Sequence, residues 1–361
     1  LTKMKEFLLI TLKDLDYLKY NFNYFDKITI DLRVSKSLYY VLSYAIKYSY
    51  WAVKLDGIID IKTKKYLTSV FSKKNLAYWQ VSSTLHYSLT NNIETMYSNK
   101  DEGYIKIKKI QDPYLNNGIS FGIIASGAEE ENDFLLNSIN SIRNNKEIKK
   151  FKYEIIILVK SNNKLSSIIK NKSNIKILFF DDDREGDRFM IGRKKNKLYE
   201  LCQYDIVSIS HARIIFPNNL IQEILTKKFD FITTKINTID DDRYLDIGLL
   251  GTYNISKPTL KLVRTGYFIP NFIYNLLDGR CIYIDGGLSI YNKKVLNFNP
   301  FNKYLAWGEG EDIRVSEQIS TNGFLVDYYD YLTSRSQSNK TKRKNNIKTK
   351  LKLFLYDFFN L

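Results

Sequence analysis

Cysteine is nearly absent: Cys202 and Cys281 are the two in 361 residues, far apart and without CxxC spacing. That argues against a disulfide framework or a structural zinc site, and a reducing cytoplasm is the simple expectation. Long apolar runs are missing too. The closest, "SLYYVLSYAIKYSYWAV" (37–53), carries Lys47 and many tyrosines, so it is expected as a buried helix rather than a membrane span. The start of the chain lacks the apolar core and small-residue cleavage site of a signal peptide, which again suggests the cytoplasm. Acidic charge is the minority: 39 Asp and Glu face 55 Lys and Arg, for a formal net charge of +16. Such an excess attracts nucleic acid, anionic lipid or nucleotide phosphates. A joint bias to Lys, Asn, Ile, Tyr and Phe, as AT-rich coding produces, explains it equally well, so only clusters of charge are informative. Zinc-finger spacing and an RNA-recognition consensus are both lacking, and nucleic acid is not expected as a partner.

With 44% hydrophobic residues the chain can bury a substantial core, and two segments look independently folded. Residues 1–112 alternate apolar runs ("FLLITL", "KITIDL", "DGIIDI", "GYIKIKKI") with helical stretches at 37–53 and 76–90. "QDPYLNNG" (111–118) has the composition of a linker or sharp turn. From Ile119 the pattern becomes strand, helix, strand. "ISFGIIAS", "YEIIILVK", "NIKILFFD" and "YDIVSIS" read as strands, with "FDFITTKI" and "GRCIYIDGGLSIYN" beyond them. Helices are expected over 129–143, with Phe134, Leu135, Ile139 and Ile142 on one face, and over the basic stretch 193–203. This order implies a mainly parallel sheet that binds ligands beyond the C-terminal ends of its strands.

Several motifs fall at those ends. "IIASGAEEEN" closes the first strand with small residues, Ala125, Ser126 and Gly127, where a nucleotide can approach the backbone. An ordinary strand–turn–helix junction explains it equally. "GRKKNKL" (192–198) begins a helix with Arg193, Lys194 and Lys195, cations that oppose the helix dipole and are more comfortable beside an anion. The competing reading is a solvated basic face. "SISHARIIFPNNL" emerges from a buried strand into His211-Ala212-Arg213. There His211 could hydrogen-bond a phosphate or help ligate a metal, and Arg213 could clamp a diphosphate. "IDGGLSIYN" places Gly286 and Gly287 in an apolar strand, leaving room for a backbone or flat ligand. In "YLAWGEGEDIRVSEQI" (304–319), Glu309, Glu311, Asp312 and Glu317 crowd behind Trp307. Trp307 offers a face for a sugar ring, and Glu311-Asp312 begin a helix whose dipole favours them.

In this order the motifs resemble a GT-A type glycosyltransferase, similar to family 2 enzymes that build bacterial surface polysaccharides such as capsule or lipopolysaccharide. The resemblance covers roughly 118–332 and rests on "IIASG", "GRKKN", "SISHARIIFP", "DGGLSIYN" and "WGEGEDIRVSEQI". It implies an α/β fold with a mixed, mainly parallel, Rossmann-like sheet, preceded here by a smaller N-terminal α/β accessory domain at 1–112. It also implies inverting transfer of a sugar from a nucleotide-sugar to a glycan or lipid-linked acceptor. Asp312 would be the catalytic base with Glu311 beside it. Ala125, Ser126, Gly127, Lys195, Asn196, His211 and Arg213 would line the donor, and Gly286, Gly287 and Trp307 the acceptor. Crowded carboxylates can raise one another's pKa towards a useful value.

One departure concerns the cofactor. The family's Asp-x-Asp motif would hold a divalent cation, Mn²⁺ or Mg²⁺, but this chain has His211-Ala212-Arg213 there. Ala212 cannot bind a metal and Arg213 would repel one. Arg213 and Lys195 could replace the cation, "DDD" at 181–183 could be recruited, or catalysis could be lost. A degenerate nucleotide- or glycan-binding module is therefore one alternative. A nucleotidyltransferase is another, although the loop after the first strand, "SGAEEEN", is acidic where that chemistry favours glycine and lysine. The last segment, 333–361, is cationic and then aromatic ("LFLYDFF"), which suggests a peripheral anchor at the inner face of the cytoplasmic membrane.

Overall fold

Isoleucines at alternate positions, Ile28 and Ile30 and then Ile59 and Ile61, are wholly buried, as expected for strands with one apolar face. The computed structural model describes residues 4–34, 38, 41–63, 81–99, 102–114, 117–125, 128–161, 174–240, 247–250 and 281–338. Its first sheet contains β1 (Glu6–Leu9), β2 (Phe25–Asp31), β3 (Val53–Lys62), β4 (Ile93–Asn99) and β5 (Tyr104–Lys109), in the order β1-β2-β3-β5-β4. The first three strands run parallel, and β5 and β4 are antiparallel additions. Helix α1 (Leu12–Leu18) is opened by a capping box between Thr11 and Asp14. Helix α2 (Leu42–Ala52) is buried at every position but Ser43, so it can have no solvent face. Within the "SLYYVLSYAIKYSYWAV" stretch, Leu42–Ala52 is thus a core helix, as the sequence suggests, while 37, 39 and 40 lie outside the described residues.

The second sheet is built from β6 (Ile119–Ile124), β7 (Tyr153–Val159), β8 (Ile175–Phe179), β11 (Ile206–His211), β12 (Ile214–Ile215), β13 (Phe231–Asn237), β16 (Leu288–Asn292) and β17 (Val326–Ser336). Two short pairs stand apart: a hairpin of β9 (Arg184–Glu185) with β10 (Arg188–Phe189), and β14 (Ile247–Leu250) with β15 (Cys281–Ile284). The order is β12-β17-β13-β16-β11-β6-β7-β8. β16 runs antiparallel to both neighbours and β12 antiparallel to β17, while the other pairings are parallel. This is the mixed, mainly parallel α/β sheet expected. The helices that matter here are α3 (Asn132–Arg143), α4 (Ile191–Leu201), α5 (Leu220–Thr226), α6 (Lys293–Leu296) and α7 (Glu311–Thr321).

Three details depart from the sequence reading. "GRCIYIDGGLSIYN" is two strands in different sheets, because Asp285-Gly286-Gly287 turns the chain between β15 and β16. The final strand, β17, runs to Ser336 and so takes in the first four residues of the supposed tail. Residues 111–114 do more than link: Lys109 and Lys228 both bond Asp112, at 3.0 and 2.6 Å, and Tyr114 is buried. Burial and the neighbouring Lys228 push the Lys109 ammonium down to about 8, against the pull of Asp112.

The two sheets share one core. α2 contributes Tyr44, whose hydroxyl donates to Val326 O at 2.7 Å, and Tyr48, which donates to Asp327 at 3.2 Å. Lys47 pairs with Asp230 at 3.1 Å, both side chains being fully buried. Removing one partner of such a pair strands the other charge. Lys47→Met is expected to lower the unfolding free energy by about 3–5 kcal/mol in urea titration, and Lys47→Met with Asp230→Asn to recover most of it. A loss below about 1 kcal/mol, the scale of an exposed pair, would show that the remaining bonds to Asp230 suffice.

Candidate functional site

The crowded carboxylates are separated by the backbone. Gly308 and Gly310 have φ of +87° and +77°, left-handed values that a side chain resists. The loop they bend delivers Glu311 and Asp312 into the first turn of α7. Ser316 on α7 accepts from Ile284 N at 3.0 Å and donates to Asp312 O at 3.0 Å, which fixes the helix against the end of β15. The turn that follows β15 faces the carboxylates. Gly286 N donates to Asp312 Oδ2 at 3.1 Å, and Gly287 N to Asp285 Oδ1 at 3.2 Å. His211 N donates to Gly287 O at 3.1 Å, joining the end of β11 to the same turn.

Three of the four acids have cationic partners. Arg188 holds Glu309 with two bonds of 2.7 and 2.8 Å. The Ala306 amide, with Arg188, keeps the Glu309 carboxyl below its usual range. Arg314 takes Glu317 at 2.6 Å on the surface. Lys195 reaches from α4 to Glu311 at 2.8 Å, with its side chain 2% exposed and that of Glu311 8%. Among the described residues Asp312 alone of the four has no ion pair. Burial, followed by the charges of Glu311 and Asp285, pushes its carboxyl up to about 6, with Lys195 and the Ile313 amide pulling the other way. Gly286 is the hinge of this cluster. A Cβ there would lie 2.7 Å from Lys195 Nζ and 3.0 Å from Glu311 Oε1.

The remaining expected residues fall around this centre. Trp307 is 66% exposed, with its amide bonded to Phe189 O at 2.8 Å, so the β9–β10 hairpin supports the loop. Ala125 directly follows β6, and its carbonyl accepts from the buried Lys194 at 2.7 Å; Ser126 and Gly127 lie outside the described residues. Lys195, expected at the donor, is engaged by Glu311. Asn196 bonds Glu200 and Asn299. His211 ends β11 and Arg213 follows it, both half-buried, and buried Ala212 between them donates its amide to Ile124 O.

Two acids of the run 181–183 are paired with cations and the third with an amide. Asp183 bonds Lys194 at 3.1 Å, Asp182 bonds Arg193 at 3.0 Å, and Asp181 accepts from Ser161 N at 3.0 Å. Among the described residues no three His, Cys, Asp or Glu side chains converge as a metal site. With Ala212 and Arg213 at the expected position, these residues do not fit a divalent cation. Sequence reasoning missed the inward aim of Lys194 and Lys195, yet a signal was there. Ile191, Lys194, Lys195 and Leu198 follow i, i+3, i+4, i+7 and so share the apolar face of α4, and all four are buried.

No family model matches this chain, and no curated protein matches it in sequence. Among solved structures it is similar to S. aureus TarS residues 1–349, at 12% identity and a TM-score of 0.40, over 61% of this chain and 60% of that one. It is also similar to the mannosyltransferase PcManGT from Pyrobaculum calidifontis in complex with GDP-Man and Mn2+, at 10% identity and 0.39, over 64% and 60%. A third is the inositol-1-phosphate CTP transferase from T. maritima, at 11% identity and 0.37, over 66% and 96%. The chain thus spans about 60% of the first two structures it matches. With TM-scores at this level, the functional argument rests on the site itself.

Proposed function

We propose that the chain is an inverting glycosyltransferase that moves a sugar from a nucleotide-sugar donor to a hydroxyl of a glycan or lipid-linked acceptor. The observation that carries this reading is Asp312, a half-buried carboxylate in the first turn of α7 that accepts from the Gly286 amide and is pushed up to about 6 by burial and by the charges of Glu311 and Asp285. A general base works best when its pKa lies near the working pH. Asp312 takes the acceptor hydroxyl's proton as that oxygen bonds the anomeric carbon. The bond from that carbon to the donor phosphate breaks on the opposite face, and the nucleoside diphosphate leaves with the electron pair. The donor lies beyond the ends of β6 and β11, near Ala125, His211 and Arg213. Arg213 supplies fixed positive charge there.

Asp312→Asn is expected to lower turnover by about 10²–10⁴-fold in a nucleotide-sugar panel run with and without Mn²⁺. Wild-type kcat/KM is expected to rise with pH through about 6 and then level off, because only the ionised carboxylate accepts a proton. Stability carries the opposite sign. A folded-state pKa above the unfolded value favours folding at low pH, and that contribution is lost as pH rises from about 4 through about 6. The same Asp312→Asn variant should therefore keep or raise its Tm at pH 7. Near-normal transfer by Asp312→Asn, with loss in Glu311→Gln, would move the base to Glu311.

Arg213→Ala is expected to weaken binding of a nucleoside diphosphate far more than binding of the free nucleoside, as read by calorimetry. Equal losses would remove Arg213 from the diphosphate.

The segment after Ser338 is proposed to hold the enzyme on an anionic membrane face at the cytoplasmic side. Support comes from Lys340, Lys342, Arg343, Lys344, Lys348, Lys350 and Lys352, followed by "LFLYDFF". Each cation near an anionic leaflet contributes about 1 kcal/mol. The segment lies outside the described residues, among which no helix is long and apolar enough to cross a membrane. Full-length protein should co-sediment with phosphatidylserine vesicles at low salt and detach at high salt, while a chain ending at Ser338 should stay in solution. Equal partitioning of the two would eliminate the tail as anchor.

A further inference from the structure

We propose that Lys195 is a positioning residue that holds Glu311 ionised and so confines proton uptake in the carboxylate cluster to Asp312. The inference rests on the reading of Asp312 as base and adds what selects it over its neighbour. Two adjacent carboxylates in one partly dry pocket compete for a proton, and the more buried one normally wins. Glu311 is the more buried, at 7% exposed.

The geometry reverses that order. Lys195 Nζ lies 2.8 Å from Glu311 Oε1, and both side chains are almost wholly removed from water. In such surroundings a charge-assisted bond favours the ionised carboxylate strongly. The charged groups facing Asp312 are Glu311 and Asp285, both of which favour its protonated form, and Lys195, which opposes them. Asp312 has a single amide from the facing turn, Gly286 N at 3.1 Å, and that of Ile313 on its own helix at 2.9 Å. The pair also depends on the bare Cα of Gly286, because a methyl there would lie 2.7 Å from Nζ. Lys195 comes from α4, a different element from the acids, so the selection depends on how α4 docks against the turn.

The experiment follows the carboxyl carbons of the full-length chain, without substrate, by ¹³C NMR of selectively labelled Asp and Glu between pH 4 and 9. Resonances are assigned from Asp312→Asn and Glu311→Gln. In the wild type Asp312 is expected to titrate near 6, with Glu311 ionised throughout. In Lys195→Met the proton should move: Glu311 becomes the group titrating at the higher pH, and the Asp312 midpoint falls by about one pH unit or more. Gly286→Ala keeps every charge but separates the pair, and should shift both midpoints in the same directions by less. Should Lys195→Met fail to fold, Gly286→Ala still decides, since it separates Lys195 from Glu311 without removing a charge. An Asp312 titration unmoved by these changes, or Glu311 still ionised throughout in Lys195→Met, would overturn the proposal. Because no substrate is present, these results stand apart from the transfer assay. Relocation of the proton in Lys195→Met alongside active Asp312→Asn would retain the selection and defeat the glycosyltransferase reading.

Discussion

Asp230 is the charge on which the two halves of the chain meet. Its carboxylate accepts from Lys47 at 3.1 Å, Tyr114 at 2.5 Å and Leu325 N at 2.8 Å, and its carbonyl from Asn292 N at 2.8 Å. Burying an ion pair costs several kcal/mol per ion and is tolerated only when the remaining acceptor positions are filled. Here they are filled from α2, the 111–114 connection and the start of β17. The consequence reaches the site through β16. Asn292 ends that strand beside Asp230, and Leu288 begins it directly after Gly287. With every residue of β16 buried and its register on β11 running from Leu288–Ser210 to Asn292–Ile206, the turn facing Asp312 cannot slide without breaking the joint.

Positive charge in this chain is partly an interior material. Lys47, Lys109, Lys194 and Lys195 are each 1% exposed or less, and all four are paired with Asp or Glu. Each such pair is neutral, so the formal net charge of +16 is carried by the other residues, and the paired lysines explain how acids can be crowded. Glu309, Glu311 and Glu317 lose their repulsion to Arg188, Lys195 and Arg314, leaving one carboxylate to feel burial and its neighbours.

Much of the fold was legible because burial leaves a direct mark on composition. Unbroken apolar runs identified β6, β7 and β11, and a tyrosine-rich apolar stretch identified α2. β4 left no such mark. Its residues are mostly exposed, so nothing apolar recurs with period two. β17 was missed because "VDYYDYLTSRS" mixes charge with tyrosine, and its register on β13 shifts between Thr234 and Lys235. The site was legible as a list of residue types but not as a set of contacts. Cations at a helix start suggest a nearby anion without naming it, and only the packing of α4 brings Lys195 to Glu311.

The glycines of the two motifs answer different physical demands. Gly308 and Gly310 are conformational, since their positive φ turns the chain sharply into α7. Gly286 is steric and electrostatic. Its amide meets Asp312 while its bare Cα lies against the Lys195–Glu311 pair, so one residue touches both the carboxylate that titrates and the pair that does not. A side chain at 308 or 310 would distort the loop, whereas one at 286 would force charges apart in a pocket that water barely reaches. In such a pocket the separation of an ion pair changes protonation far more than it would at the surface. The position therefore matters less for the path of the backbone than for the carboxylate on which a proton rests.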